Sequence, residues 1–195
     1  MHKTVIIILL VLGVGNVQGS IVEFTEDWVI HPGDEYDVVS VLNDATVGMT
    51  GGVVWELYAT EFSTINVFDG IVRSLYTYDS SNTYVYGGTI DASLCVAGSS
   101  TVSLFGGQQF GYVAIFDSGV LKIYGFGFEY EATGPDRRSG ILSGYWLDGT
   151  PFNGMYLRML PEPFPGSQII LTPEPGTLVI LSLGGMILRR RMVSR

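Results

Sequence analysis

Few side chains in this chain are suited to catalysis or metal binding, and their spacing indicates which chemistry each could support. The 195 residues include two histidines and one cysteine, so an intrachain disulfide framework and a Cys-based zinc cluster are excluded. A Ser-His-Asp triad or a His-bound metal would have to use His31, because the other histidine lies at the N-terminus. No partner spacing accompanies His31, and we interpret it as a surface or cap histidine. Cys95 adjoins Leu94 in a predicted core column, so we expect a buried, inert thiol.

Acidic and amide residues recur just before successive predicted strands, at Asn43, Glu61, Asp79 and Asp117, with Gly98 interrupting the series. Oxygen ligands along one edge could bind calcium. The same residues suit turns in which the side chain bonds the nearby backbone. We favour turns, because no calcium-loop motif is present.

An aromatic residue precedes a glycine, or the pair Asp69-Gly70, in four successive repeats, at Phe68, Tyr86, Phe105 and Tyr124. Strand alternation predicts that these rings lie outside, about 4.8 Å apart, where they could stack on the sugar rings of a polysaccharide. Alternatively, the rings stack on one another and stabilise the sheet unaided, which is the interpretation we favour.

Glycine-containing turns recur at steps of 18 or 19 residues: Gly51-Gly52, Asp69-Gly70, Gly87-Gly88, Gly106-Gly107 and Gly125. Aligning the runs before these turns gives a first apolar column of Val47, Ile65, Thr83, Val102 and Leu121. A second apolar column, two residues on, contains Met49, Val67, Val85, Leu104 and Ile123. A period of two predicts that both columns are buried and that the residues between them face outward. A second strand begins after the turn, at Leu57, Leu75, Leu94 and Val113.

These repeats predict an all-β fold. One repeat cannot bury its own apolar face, but stacked coils can. Residues 42–126 are therefore interpreted as a short β-solenoid, similar to a parallel β-helix, of about five coils of 18–19 residues. Residues 21–41 are predicted to cap the first coil, and Asp148-Gly149 to turn a C-terminal hairpin, within an ectodomain of residues 20–160. An antiparallel sandwich or barrel is the alternative.

The N-terminus has the pattern of a secretory signal peptide. Met1-His2-Lys3 precedes an apolar run over residues 5–14, and small or short residues follow up to Gly19. We predict a signal helix over residues 1–19, with cleavage after Gly19 that exposes Ser20. A buried strand or an N-terminal anchor is the alternative.

The C-terminus has three parts: Pro173-Glu174-Pro175, an apolar run over residues 177–188, and Arg189-Arg190-Arg191. As a helix the apolar run would reach about 18 Å, short of a hydrocarbon core of about 30 Å, although arginines can snorkel and extend it. The arginines favour the cytoplasmic side. Residues 161–171, which precede this segment, are predicted to form a Pro-rich spacer.

This order of motif, helix and basic tail resembles the PEP-CTERM sorting signal, a motif also described as an ice-binding protein C-terminal motif. The resemblance covers residues 172–195 and implies a protein exported by a Gram-negative, biofilm-forming bacterium. It further implies that a C-terminal transmembrane helix holds the chain in the membrane. An exosortase-type membrane protease then processes it, and it reaches the cell surface or the extracellular matrix. A simple tail anchor is the alternative.

Charge and composition narrow the classes of function. The chain has 10 Lys+Arg against 19 Asp+Glu, and removal of both ends would leave a net charge of about −14, which disfavours nucleic acid as a partner. We expect a non-enzymatic surface or matrix protein without a cofactor, whose solenoid is a structural or interaction module. The alternative is a β-helix that binds or acts on extracellular polysaccharide, such as a small lyase. Arg73 and Lys122 lie far apart in the predicted stack, which speaks against a lyase.

Overall fold

The computed structural model describes residues 20–109, 111–133, 139–159 and 168–173. These residues form fourteen β-strands. In chain order they are β1 (Ile21–Phe24), β2 (Trp28–Ile30), β3 (Glu35–Val41), β4 (Thr46–Ala59), β5 (Thr64–Thr77), β6 (Asn82–Val85), β7 (Thr89–Val96), β8 (Thr101–Leu104), β9 (Gln108–Gln109), β10 (Tyr112–Ile115), β11 (Val120–Ala132), β12 (Ser139–Trp146), β13 (Pro151–Met159) and β14 (Gln168–Thr172).

The chain winds through two faces, and each coil pairs in parallel with the next. Face 1 contains β2, β6, β8, β14 and the first halves of β4, β5 and β11. Face 2 contains β1, β10 and the later parts of β3, β4, β5, β7 and β13. Ile65 pairs with Thr83 on face 1, and Leu75 pairs with Leu94 on face 2. The predicted parallel β-solenoid of about five turns is confirmed, and the antiparallel sandwich is not found.

The core lies between the two faces and contains every residue of the two predicted apolar columns, none more than 3% exposed. The second-strand residues Leu57, Leu75, Leu94 and Val113 are fully buried opposite them. Burial of each such aliphatic side chain stabilises the fold by about 1.5–3 kcal/mol. Thr83 is the polar residue in these apolar columns. It is fully buried, and its hydroxyl has no hydrogen-bond partner among the described residues.

One corner of each coil is turned by a glycine with positive φ: Gly33, Gly52, Gly70, Gly88 and Gly107. The absence of a side chain matters here as well as the backbone conformation. A Cβ on Gly88 would lie 2.8 Å from the carbonyl oxygen of Gly70 in the preceding coil. The glycine therefore lets two coils approach at the corner.

Residues 21–41 do not form a separate cap, which corrects the prediction. They form a further coil of the solenoid, in which β2 and β3 pair in parallel with β4, and β1 pairs in parallel with β3. We call the end formed by β1 and β2 the head. Ile30 is fully buried there, whereas Trp28 is 44% exposed because no described coil lies beyond it.

At the opposite end, β12 and β13 form the predicted antiparallel hairpin. The Asp148 carboxylate closes its turn by accepting hydrogen bonds from the Thr150 backbone N–H (2.9 Å) and hydroxyl (2.6 Å). These bonds hold the pKa of Asp148 below its ordinary value. Trp146 covers the end of the core, and its indole N–H donates to the carbonyl of Gly107 at 3.0 Å. β13 also pairs in parallel with β10, so the hairpin continues face 2.

Residues 168–172 form β14, which pairs in parallel with residues 120–124 of β11 and adds a last rung to face 1. The predicted spacer of residues 161–171 therefore gives way to a strand at residue 168. No helix among the described residues is long and apolar enough to span a membrane. The predicted signal helix, the apolar run of residues 177–188 and the polar loop of residues 134–138 lie outside the described residues.

Candidate functional site

The four rings of the predicted aromatic row lie together on the outer side of face 1. Their centroids are 5.1 Å apart from Phe68 to Tyr86, 5.1 Å from Tyr86 to Phe105 and 4.2 Å from Phe105 to Tyr124. Adjacent ring planes differ by 7°, 10° and 15°. We call these four residues the aromatic row.

The rings of the aromatic row stack on one another. Each inner ring is covered on both faces by its neighbours, so it turns mainly its edge to solvent. A sugar ring stacks against the face of an aromatic ring. Phe68, which is 50% exposed, is stacked on one face only among the described rings, whereas Tyr124 at the other end lies in register with Thr172 of the next rung. Glycan stacking on the row stays a prediction, whereas mutual stacking of the rings between coils is what the geometry shows.

The series of acidic residues lies at the second corner of each coil. Asn43, Glu61, Asp79 and Asp117 have φ between 53° and 59°, and Gly98 shares this conformation with φ of 67°. The carboxylate of one coil accepts a hydrogen bond from the backbone of the coil before it: Asn43 N–H donates to Glu61 (2.6 Å) and Glu61 N–H donates to Asp79 (3.1 Å). Gly98 N–H likewise donates to Asp117 at 3.4 Å. We call this series the turn ladder. Its residues lie in turns, as predicted, but the carboxylates of Glu61, Asp79 and Asp117 bond the backbone of the preceding coil rather than the nearby backbone of their own turn.

The carboxylates of the turn ladder therefore bond backbone amides rather than converging on one point. Within the part of the chain that the structure describes, no three His, Cys, Asp or Glu side chains form a group that could hold a metal ion. Gly98, which carries no carboxylate, keeps the left-handed conformation of the series. The left-handed conformation, rather than charge, is thus the property that these five turns share.

The basic residues weighed for a lyase site are not brought together. The Arg73 guanidinium lies 4.6 Å from the centre of the Trp55 ring, one coil away. Lys122 lies in β11 on face 1, several coils further on, and pairs with Ser103 and Ile170. The structure therefore shows a cation–π contact at Arg73 and no shared site with Lys122.

Residues of the first coils line a groove of about 620 Å³ at the head, which the sequence reasoning missed. Its lining consists of Asp27, Trp28, Val29, His31, Asp34, Tyr36, Thr46, Gly48 and Asn66. We call it the head groove. A cap over residues 21–41, which the sequence predicts, does not imply a groove between coils at this end. A signal was present in the sequence, since Asp27-Trp28 and Asp34 occur within eight residues of one another.

Two carboxylates of the head groove are held by backbone hydrogen bonds. Asp27 accepts from Thr46 N–H at 2.8 Å, and Asp34 accepts from His31 N–H at 2.8 Å. His31 thus lies in the groove wall, and its backbone, rather than its imidazole, makes the bond to Asp34. Burial raises the pKa of Tyr36, and the negative charge of Asp34 raises it further.

Cys95 departs from the expectation of a fully buried thiol. Leu94 points into the core, so alternation turns Cys95 to the outer side of face 2, where it lies in register with Tyr76 and is half-buried. Burial raises the pKa of the thiol, and a hydrogen bond with Tyr78 opposes this only in part. A raised pKa lowers the thiolate fraction, which agrees with an unreactive cysteine.

The predicted processing residues lie mostly outside the described chain. Ser20 is described, and its hydroxyl donates to the carbonyl of Glu35 at 3.2 Å. Pro173 is exposed and follows β14 directly. Gly19, Glu174, Pro175 and the arginines at 189–191 are outside the described residues.

Comparisons with protein-family profiles, with curated proteins and with solved structures found no match to this chain.

Proposed function

We propose that this chain is an exported surface or matrix protein, sorted and processed through its C-terminal segment, and that its solenoid acts as a structural or interaction module rather than as an enzyme. The observation that carries the proposal is the order of Pro173-Glu174-Pro175, the apolar run and Arg189-Arg190-Arg191 at the C-terminus. An exosortase-type membrane protease is the partner that this order implies. The membrane would hold the chain only until processing.

The proposal is supported by the position of the motif relative to the folded domain. β14 ends at Thr172, and Pro173 is exposed directly after it. Prolines on both sides of Glu174 favour an extended backbone, which suits binding in a protease cleft. Cleavage there would release the solenoid with all of its strands.

The chain offers a matched control for testing the motif. Pro161-Glu162-Pro163 repeats the same tripeptide without a following apolar run. An epitope can be inserted at Gly149, around which a Cβ would meet no atom within 4 Å, so that both ends remain native. We would express the tagged full chain in an exosortase-bearing Gram-negative bacterium, together with Glu174→Gln, a triple Arg→Ala variant at 189–191, and Glu162→Gln.

The proposal predicts that the wild-type chain and Glu162→Gln lose mass and reach the cell surface. Glu174→Gln and the triple variant should keep their C-terminus and remain in the membrane fraction. Identical mass and location for all four proteins would contradict the sorting proposal. The opposite pattern, in which Glu162→Gln stays in the membrane fraction and Glu174→Gln is processed, would also contradict the proposal, because it would assign sorting to Pro161-Glu162-Pro163.

A second candidate function is carbohydrate binding, favoured by the exposed aromatic rings and by the head groove. Phe68 at one end of the aromatic row and the indole of Trp28 are exposed apolar rings, and the acids that line the head groove with Trp28 provide hydrogen-bond acceptors. This combination suits a hydroxyl-rich ligand. It is compatible with the first proposal, because a sorted matrix protein can bind matrix polysaccharide.

A further inference from the structure

We propose that the head groove binds an amine-bearing sugar, with the pyranose ring against Trp28 and the protonated amine beside Asp27 and Asp34. The inference deepens the interaction role proposed above by giving the partner a chemical class. It does not depend on how the chain is sorted.

Trp28 provides a supported aromatic face. Its indole stacks on Phe24 with centroids 5.5 Å apart and planes 15° from parallel. Phe24 is 5% exposed and is held in turn by an edge-to-face contact with Tyr36. One face of the indole is therefore covered by the core, while the side chain as a whole remains 44% exposed. A large aromatic surface fixed from behind and open in front can stack on the apolar face of a sugar ring at little conformational cost.

The two carboxylates that line the groove with Trp28 are fixed in position. Asp27 and Asp34 each use one oxygen to accept a backbone hydrogen bond at 2.8 Å, and the described residues supply no bond to the second oxygen of either. An ammonium group can therefore pair with them without first reorganising their side chains. Hydroxyl groups of the same sugar could use the remaining acceptor capacity.

The groove is open because the outward column of face 1 begins with small residues. Val29 is followed in this column by Gly48 and Asn66, and only at the next coil by the large side chain of Tyr84. A Cβ on Gly48 would meet nothing closer than Val29 at 4.0 Å. The lining of the groove includes Asn66 but not Tyr84, so the step from small to large residues marks its lower end.

The negative charge around the head groove favours a positively charged sugar over a neutral or anionic one. The head half of the solenoid, residues 20–72, contains no lysine or arginine. Its acidic residues are Glu23, Glu26, Asp27, Asp34, Glu35, Asp37, Asp44, Glu56, Glu61 and Asp69. Such a surface repels uronic acids and sulfated sugars, and it attracts cations. A sugar that carries a protonated amine can stack on the indole of Trp28 and is attracted by the negative charge of residues 20–72.

A basic peptide has the same charge, but the geometry favours the sugar. Peptide binding at an open sheet edge relies on a run of main-chain hydrogen bonds. β2 has only three residues, and Pro32 shortly after it lacks an N–H. Side-chain acceptors arranged around one exposed indole are the recognition elements that this site provides.

The test is isothermal calorimetry on the purified full-length chain in a polyoxyethylene detergent, which carries no sugar. The probes are glucosamine oligomers, N-acetylglucosamine oligomers, unmodified glucose oligomers and an oligolysine peptide. The variants are Trp28→Ala, Trp28→Phe and Asp34→Asn, with Trp55→Ala as the control. Trp55 is a suitable control because it is also about half exposed but lies outside the groove.

We expect binding of the glucosamine oligomers, at least about tenfold tighter than either uncharged oligomer. Trp28→Ala and Asp34→Asn should each weaken it by at least about tenfold, whereas Trp28→Phe, which keeps an aromatic face and guards against misfolding, should weaken it less. Trp55→Ala should bind as the wild type does. Equal affinity for the three oligomers, tighter binding of oligolysine, or full affinity in Trp28→Ala would overturn the inference. Such a failure would leave the sorting proposal standing, because that proposal is tested by mass and location.

Discussion

Removal of single rings from the aromatic row should destabilise the protein in proportion to the number of neighbours that each ring stacks on. Phe68, at the end of the row, stacks on Tyr86 alone, whereas Tyr86 stacks on both Phe68 and Phe105. The two side chains are similarly exposed, at 50% and 45%. The areas removed by Phe68→Ala and Tyr86→Ala are therefore comparable, and the main difference between the variants is one stacking contact.

An aromatic pair contributes about 0.5–1.5 kcal/mol beyond the burial of area. The free energy of unfolding should thus fall further in Tyr86→Ala than in Phe68→Ala, by about 0.5–1.5 kcal/mol. For a domain of this size, that difference corresponds to about 1–6 °C in Tm. The double variant should lose less than the sum of the two single variants, because both remove the same contact.

The assay is urea denaturation followed by circular dichroism, with Phe62→Ala as the control. Phe62 is 72% exposed in a corner turn, so its removal should cost about 0.5 kcal/mol or less. Equal losses in Phe68→Ala and Tyr86→Ala, or strict additivity in the double variant, would refute mutual stacking. The rings would then act independently, as a ligand platform requires.

The core, the corners and three partly buried tyrosines each give a further prediction. Gly88→Ala should destabilise the protein by about 2 kcal/mol or more, because the added Cβ meets the Gly70 oxygen at 2.8 Å. Gly149→Ala is the control, since Gly149 has a similar φ but open space around it, and it should cost about 1 kcal/mol in the same urea assay. Equal costs for the two variants would contradict a close approach of the coils at Gly88. Thr83→Val should raise the free energy of unfolding by about 1 kcal/mol, since it removes a buried hydroxyl without a partner, and a loss of stability would show that the hydroxyl is bonded. Burial raises the pKa of Tyr58, Tyr36 and Tyr78, and the hydrogen bond to Glu56 raises that of Tyr58 further, so the folded state retains phenolic protons that the unfolded chain loses. The urea midpoint should therefore hold at neutral pH and fall as the pH rises past about 10, more steeply than in Tyr58→Phe.

The stacked coils could be predicted from the sequence because every coil buries the same positions. Val47 and Ile65 lie one step of 18 residues apart, and both are fully buried. The same logic predicted the outward aromatic row and the turns of the turn ladder. In a solenoid, a column of similar residues corresponds to a row of neighbouring residues in space, so periodicity in the sequence directly predicts contacts.

The coil formed by residues 21–41 could not be recognised in the same way. Gly33 lies 19 residues before Gly52 and also has a positive φ, but Pro32 rather than an aromatic residue precedes it and no second glycine adjoins it. β14 was not predicted, because the prolines on both sides of residues 168–172 indicated a spacer rather than a strand. It forms because the chain leaves face 1 after Tyr124 to make the hairpin, which leaves an unpaired strand edge for residues 168–172.

The detailed orientation and contacts of side chains were the remaining features that the sequence could not predict. Alternation predicts that Cys95 faces away from the core, but not that Tyr78 bonds its thiol and that burial there raises its pKa. It predicts that Tyr86 faces outward, but not that its ring lies parallel to those of Phe68 and Phe105. The head groove also depends on such detail, because among the described residues Phe24 is the ring that stacks on Trp28.

The central structural claim is that one outward column of face 1 runs through successive parallel coils from Asn66 to the last strand. The column passes through Tyr84, Ser103 and Lys122 to Ile170, which is four coil steps. Spin labels at Asn66 and Ile170, in a Cys95→Ser background, measure this distance by pulsed electron paramagnetic resonance. At about 4.8 Å per step the backbone separation should be about 19 Å, in a single narrow distribution. A separation above about 30 Å, or a broad distribution, would contradict the stacking of β14 on the solenoid and with it the account of the fold.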